Sequence, residues 1–189
     1  LEYYHFIFTA VCSSRPSGLE RRYSFYARKL RGCNSKEESS DCINDLIVDL
    51  KTSLPEYSVF ESNFKKIIYT SKQERDKKLV QYILKKLEVF HATNELKPNS
   101  FTIEHILPES TGNRFVGMVG NLLPLGEKLN NELQDKDFKI KIAKYNNSQY
   151  ETVKQFVQEY KNEEKWTEEL IEERTEKIAQ IMYENIIEG

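Results

Sequence analysis

Residues 103–108 read Ile-Glu-His-Ile-Leu-Pro, and sixteen positions beyond His105 a second run, Asn-Leu-Leu-Pro-Leu-Gly-Glu-Lys-Leu-Asn, begins at Asn121 and ends at Asn130. A carboxylate beside a histidine, followed by two amides nine residues apart, suits the hydrolysis of a phosphodiester. That reaction needs a base to deprotonate water, a cation to neutralise the charge growing on the phosphoryl oxygens, and hard oxygen donors to hold the cation. Histidine titrates nearest working pH, so His105 can be the base. Glu104 and an asparagine amide oxygen are donors of the kind Mg²⁺ or Mn²⁺ accepts, with the other positions left to water and substrate phosphate. The three cysteines, Cys12, Cys33 and Cys42, form no Cys-x-x-Cys pair. That argues against a zinc-built site and against a disulfide framework, and makes a reducing cytoplasm the simplest home.

One geometric condition attaches to this reading. Neighbours on a regular strand point to opposite faces, so Glu104 and His105 share a site only where the strand ends or kinks, and Pro108 allows an early end. A weaker arrangement keeps His105 as base and leaves the metal to Asn130 and water. Asn131 competes with Asn130, because a helix turns about 100° per residue and the two cannot face one site equally. Arg114, Lys136, Lys139, Lys141 and Lys144 either contact nucleic-acid phosphates or form a solvated face. Phe138, Tyr145 and Trp166 read as packing residues, and His5 and His91 as ordinary packing or surface positions.

The elements that must position these residues are mostly helical. Glycine (7) and proline (5) are scarce among 189 residues, while Lys, Glu, Leu and Ile are plentiful, which favours helix over sheet. Helices are expected over 2–12 and 19–31, with Ser17 and Glu20 spaced as a capping box and Gly32 as a stop. A third, about 36–52, is expected to bury Ile43, Leu46, Ile47 and Leu50, and a shorter one follows near 58–68. The clearest runs about 72–92, with Ser71 and Glu74 as a second capping box and a wide apolar stripe through Leu79, Val80, Ile83, Leu84 and Leu87. Pro98 interrupts this rhythm. Then FTIEHI reads as a strand, TGNRFVGMVG as a loop, NLLPL as a second strand and GEKLNNELQ as helix. Helices about 137–161 and 167–187 close the chain.

Charge is uneven along the chain. Residues 151–189 hold five basic and eleven acidic side chains, a balance of −6, so with a whole-chain charge of −2 the first 150 residues carry +4. A polyanion would bind the first part and not the tail. No apolar run is long enough to span a membrane. Leu1 opens inside an apolar helical pattern, so the chain is expected to be the C-terminal piece of something longer.

The residues also carry a resemblance. Glu-His-Ile-x-Pro at 104–108, then Asn-Leu at 121–122, then Asn130 nine further on, resembles the HNH or His-Me finger nucleases. More closely, it is similar to the C-terminal nuclease domain of the GmrSD-type modification-dependent restriction enzymes. Phe138, Lys141, Tyr145 and Ser148 match that family's Phe-x-x-Lys-x-x-x-Tyr-x-x-Ser run, and Trp166, Ile171 and Arg174 match its closing helix. The resemblance implies His105 as general base, Glu104 and Asn130 as ligands of Mg²⁺ or Mn²⁺, and Asn121 as the tie between loop and finger that orients the histidine. It implies DNA, including modified DNA, as substrate, and an upstream ParB-like, nucleotide-hydrolysing module. Leu133 stands where many HNH enzymes place a lysine, which would move that phosphate contact to Lys136 or Lys139.

The expected architecture is therefore mainly α: a helical region over 1–97, then residues 98–189 carrying a small ββα-metal finger with closing helices. The expected activity is metal-dependent cleavage of DNA in restriction or phage defence. Two rivals stand beside it: a scaffold or DNA-binding domain that supports an upstream nucleotide-hydrolysing module, and a nuclease acting on RNA. Metal-dependent cleavage requiring His105 separates the first rival from the enzyme.

Overall fold

The computed structural model describes residues 1–14, 18–92 and 100–184. Contacts along the chain divide it after Phe60, into a unit of residues 1–60 and a unit of residues 61–189. The expected boundary at 97/98, with Pro98, and the expected cap Ser17 lie outside the described residues, as do the last residues of the expected 167–187 helix. No described helix is long and apolar enough to cross a membrane.

The first unit opens with α1 (Glu2–His5), which widens without a break into a π-helical segment, Phe6–Val11. There the Cys12 amide bonds back to the Ile7 carbonyl rather than to residue 8. Helices α2 (Leu19–Arg31) and α3 (Lys36–Lys51) follow. Ser35 caps α3 by accepting the Glu38 amide at 3.0 Å, while the Glu38 carboxylate accepts the Asn34 amide at 2.7 Å. This reciprocal cap satisfies amides that a helix start leaves open. Tyr4, Leu19 and Leu50 form one small core cluster of this unit, with Phe8, Tyr23, Leu46 and Leu54 against it. Ile43 and Ile47, expected inside, are 47% and 44% exposed. The face α3 buries runs instead through Cys42, Leu46 and Leu50, one position behind the β-branched pair. Helix α4 (Tyr57–Phe64) leads out of this unit.

The second unit holds α5 (Lys77–His91), whose Val80, Ile83, Leu84 and Leu87 are buried as their spacing predicts. The Ser71–Glu74 capping box does not form. Ser71 gives its amide and hydroxyl to the Glu109 carboxylate at 2.8 and 2.5 Å, and Glu74 pairs with Lys77. The reason is tertiary. Ile68 bridges to Met118, and the Tyr69 amide donates to the Gly117 carbonyl, so residues 68–73 are held against the loop and α5 starts later.

Strands β1 (Thr102–His105) and β2 (Leu122–Leu125) pair antiparallel with Glu104 opposite Leu123 and His105 opposite Leu122. Short 3₁₀ turns, Glu109–Thr111 and Val119–Asn121, bracket the connecting loop, and α6 (Glu127–Leu133) follows β2 directly. The single helix expected over 137–161 is two, α7 (Phe138–Tyr145) and α8 (Glu151–Tyr160). Asn146, Asn147 and Ser148 form the turn between them, as their local hydrogen-bonding habits favour. The Glu88 carboxylate of α5 accepts the amides of Glu151 and Thr152 at 2.9 Å each, so a neighbouring helix caps α8. Helix α9 (Glu168–Glu184) packs on the 3₁₀ turn before β2. The core of this unit gathers Ile106, Leu123, Leu125, Tyr145, Phe156 and Trp166.

Candidate active site

Glu104 and His105 both lie within the β1 ladder, so their side chains leave on opposite faces. No kink intervenes. The two faces differ in kind.

The Glu104 face is dry. Glu104 is 2% exposed, and its Oε1 accepts from Lys141 Nζ at 2.8 Å and from Tyr145 Oη at 2.9 Å. Lys141 Nζ also donates to the His105 carbonyl at 2.6 Å. Lys141, expected to reach nucleic-acid phosphates, is wholly buried and spends its charge here. Burial, and then the Glu104 carboxylate, hold the Tyr145 phenol well above its usual range, so it stays a donor.

The His105 face is less enclosed, with the His105 side chain 12% exposed. His105 Nε2 lies 3.0 Å from the Tyr69 carbonyl oxygen and 3.2 Å from Glu109 Oε1, and the imidazole stacks on the Tyr69 ring with centroids 5.7 Å apart. A carbonyl oxygen only accepts, so Nε2 carries a proton, and it is the neutral form of the ring that would present Nδ1 as a lone pair. No described residue bonds that nitrogen. The Tyr69 backbone is placed by its amide's bond to the Gly117 carbonyl, where a side chain would be crowded. A Cβ on Gly117 would meet Thr70 Cγ2, the Tyr69 carbonyl oxygen and Ile68 Cβ at 3.1–3.3 Å.

Asn121 is completely buried. Its Oδ1 accepts from the Leu107 amide at 2.7 Å and from Trp166 Nε1 at 3.0 Å; its Nδ2 donates to the carbonyls of Leu107 and Val116 at 2.9 and 2.7 Å. Its own carbonyl accepts the Ile106 amide. Asn121 thus ties both ends of the loop together beside His105, without touching the imidazole. Gly120 lets this turn approach α9: a Cβ would stand 2.1 Å from the Ile171 carbonyl. Arg174 of α9 donates to the carbonyls of Gly120 and Leu122 at 2.6 and 3.0 Å and lies over the Phe156 ring. Burial lowers the Arg174 guanidinium to about 10.

Asn130, on α6, donates Nδ2 to Thr102 Oγ1 at 2.8 Å and to the Ile103 carbonyl at 3.2 Å. Asn131 is exposed. As arranged, the expected donors do not fit a divalent ion. Glu104 is already neutralised by Lys141, Asn130 turns its amide nitrogen onto β1, and His105 lies on the far face of the strand from Glu104. Among the described residues, no group of three or more His, Cys, Asp or Glu side chains could hold a metal. Four of the five cationic candidates are exposed: Arg114, Lys136, Lys139 and Lys144. Lys136 and Lys139 line a cleft of about 600 Å³ between the Ile106–Pro108 segment and residues 135–140, with Trp166 in its wall. Lys144 pairs with Glu132 at 2.8 Å. The roles of Tyr69 and Glu109 left no mark in the sequence, since they depend on two loops meeting.

The family model of the GmrSD restriction endonucleases, C-terminal domain, matches residues 54–181. No curated protein matches the chain.

Proposed function

The chain belongs to the GmrSD restriction endonuclease C-terminal-domain family, and from that premise we propose that it is a DNA endonuclease domain with an HNH-type finger and His105 as its general base. The observation that carries the reading is the hydrogen bond from His105 Nε2 to the Tyr69 carbonyl, which leaves Nδ1 as the acceptor nitrogen. Nδ1 takes a proton from water, and the hydroxide oxygen attacks the scissile phosphorus as the bond to the leaving oxygen breaks. The Glu109 carboxylate, 3.2 Å from Nε2, stabilises the imidazolium so formed. Arg114 and Lys136 are the exposed cations that would receive neighbouring phosphates. Lys139 and Lys144 join them only by leaving Glu164 and Glu132. Strand β1, strand β2 and α6 supply the finger, and Asn121 and α9 hold it rigid. The donors expected to hold a divalent ion, Glu104 and Asn130, are engaged with Lys141, Tyr145 and strand β1.

The test uses supercoiled plasmid, the purified chain and its His105→Ala variant, with Mg²⁺, Mn²⁺ or chelator. We expect conversion to nicked or linear plasmid by the parent chain and a loss of at least about 100-fold in the variant. Equal cleavage by both folded proteins would remove His105 from the reaction. Cleavage supported by Mg²⁺ or Mn²⁺ and abolished by chelator would mean that the Glu104–Lys141 pair opens to admit the ion. A second reading, a finger that binds DNA without cutting it, draws on the neutralised Glu104. Retained DNA binding with no cleavage in any metal arm would favour it.

A further inference from the structure

The five basic residues of α2 are divided into two groups by the way the helix packs. Arg22 turns to α3, donating NH1 to Ser53 Oγ at 2.8 Å with Nε 3.8 Å from Asp49 Oδ2, and Lys29 pairs with Asp45 at 2.5 Å. Arg21, Arg28 and Arg31 are exposed and have no ion-pair partner among the described residues. At about 100° per residue, Arg28 lies about 20° around the helix from Arg21 and Arg31 about 60° beyond Arg28, so the three share an arc of about 80°. Ser24 falls inside that arc, and Phe25, 53% exposed, lies about 40° outside it. Glu20 is the only acid on the helix. At 1.5 Å per residue the arginines span about 15 Å along the axis, a length over which one DNA strand presents about four phosphates at 3.4 Å each.

We propose that this face of α2 is a second nucleic-acid contact, separate from the finger, that grips the phosphate backbone of duplex DNA without reading sequence. It lies outside residues 54–181, the stretch matched by the family model. Guanidinium forks suit phosphate oxygens, and an unpaired cationic stripe gains from releasing condensed counterions. The proposed function is used only to name the polyanion as DNA.

The test measures binding rather than cleavage, so the two proposals fail separately. The full chain carrying His105→Ala is titrated against a short fluorescein-labelled duplex in chelator over a series of salt concentrations, reading anisotropy. Combining Arg21→Gln, Arg28→Gln and Arg31→Gln should reduce the slope of log K against log salt by about 2 to 3, near 0.9 per lost phosphate contact. It should also weaken binding roughly tenfold or more at low salt. The corresponding triple change to lysine should keep most of the slope. A triple of equal charge change elsewhere, Lys154→Gln, Lys161→Gln and Lys165→Gln, should keep it too. Circular dichroism checks that each variant is folded. Equal losses in the arginine and lysine-site glutamine triples would reduce the effect to bulk charge and overturn the proposal. No loss in the arginine triple would overturn it, as would binding to phosphatidylserine vesicles without binding to the duplex.

Discussion

The two faces of β1 are one residue apart and chemically opposite. Glu104 meets a lysine and a tyrosine in a sealed core, and every hydrogen bond it makes is spent on holding α7 to the strand. His105 meets a backbone carbonyl and a carboxylate on Nε2, and no described residue bonds its Nδ1. The contrast teaches that adjacency in a motif is not adjacency in a site. Changes on the Glu104 face should cost stability, and changes on the His105 face should cost activity while the fold survives, as His105→Ala is expected to do.

The largest stability loss should come from Lys141→Met. It keeps the aliphatic length but strands the Glu104 carboxylate in the core and leaves the His105 carbonyl without its donor. Breaking one side of a buried ion pair costs about 3–5 kcal/mol. Urea unfolding measures it. Pairing the change with Glu104→Gln should recover part of the loss, since a neutral amide tolerates burial better than a lone carboxylate. No recovery in the double variant would mean that the pair is not what holds this face together.

Asn121→Ala comes next. It removes four hydrogen bonds and leaves the Leu107 amide and the Trp166 indole N–H without an acceptor, for a loss of about 2–4 kcal/mol. Because Asn121 ties both ends of the loop, its loss should also lower cleavage by loosening the loop that carries Glu109. Activity that falls no further than the folded fraction would confine Asn121 to stability.

This position marks how far the sequence could be read. The strand, loop, strand and helix order was legible because β-branched residues, three glycines and a helix pattern follow one another within about thirty residues. The buried stripe of α5 was legible from its period. What escaped reading depends on distant partners: Ser71 was captured by Glu109 rather than capping α5, and α8 is capped by Glu88, 63 positions away in sequence. Lys141 is one cation in a row of four lysines, yet it alone of the four pairs with Glu104. The exposure of Ile43 and Ile47 on α3 does not follow from periodicity, which fixes a stripe's width and not which edge of it a neighbour covers. Tyr69 acts through its carbonyl, which no residue type announces.

Tyr145→Phe should be milder, near 1–2 kcal/mol at neutral pH, since Glu104 keeps Lys141 and loses one donor. Its signature is the alkaline limb. The folded phenol is raised, so it stays protonated where the unfolded chain ionises near pH 10. Above that pH the unfolded state binds fewer protons, and stability falls as pH rises. The contribution is complete below the unfolded value and is lost on the way to the folded one. The Phe variant should show a shallower decline there. A residual slope should persist from Tyr150 and Tyr160, both also raised by burial.

Glu109→Gln should have the smallest effect and divides the two faces most finely. The carboxylate receives the Ser71 amide and hydroxyl and stands 3.2 Å from His105 Nε2. An amide of the same shape keeps one acceptor, so stability should move by less than about 1 kcal/mol. The negative charge beside the imidazole is gone, however, and with it the stabilisation of the imidazolium formed when Nδ1 takes its proton. Cleavage should then drop by several-fold, far less than in His105→Ala, because the Tyr69 carbonyl still fixes the tautomer. A loss as deep as that of His105→Ala would make the carboxylate, and not the carbonyl, the group that sets up the base. Unchanged cleavage beside a clear loss of stability would place Glu109 with Glu104, as one more residue whose charge serves only to hold the chain in shape.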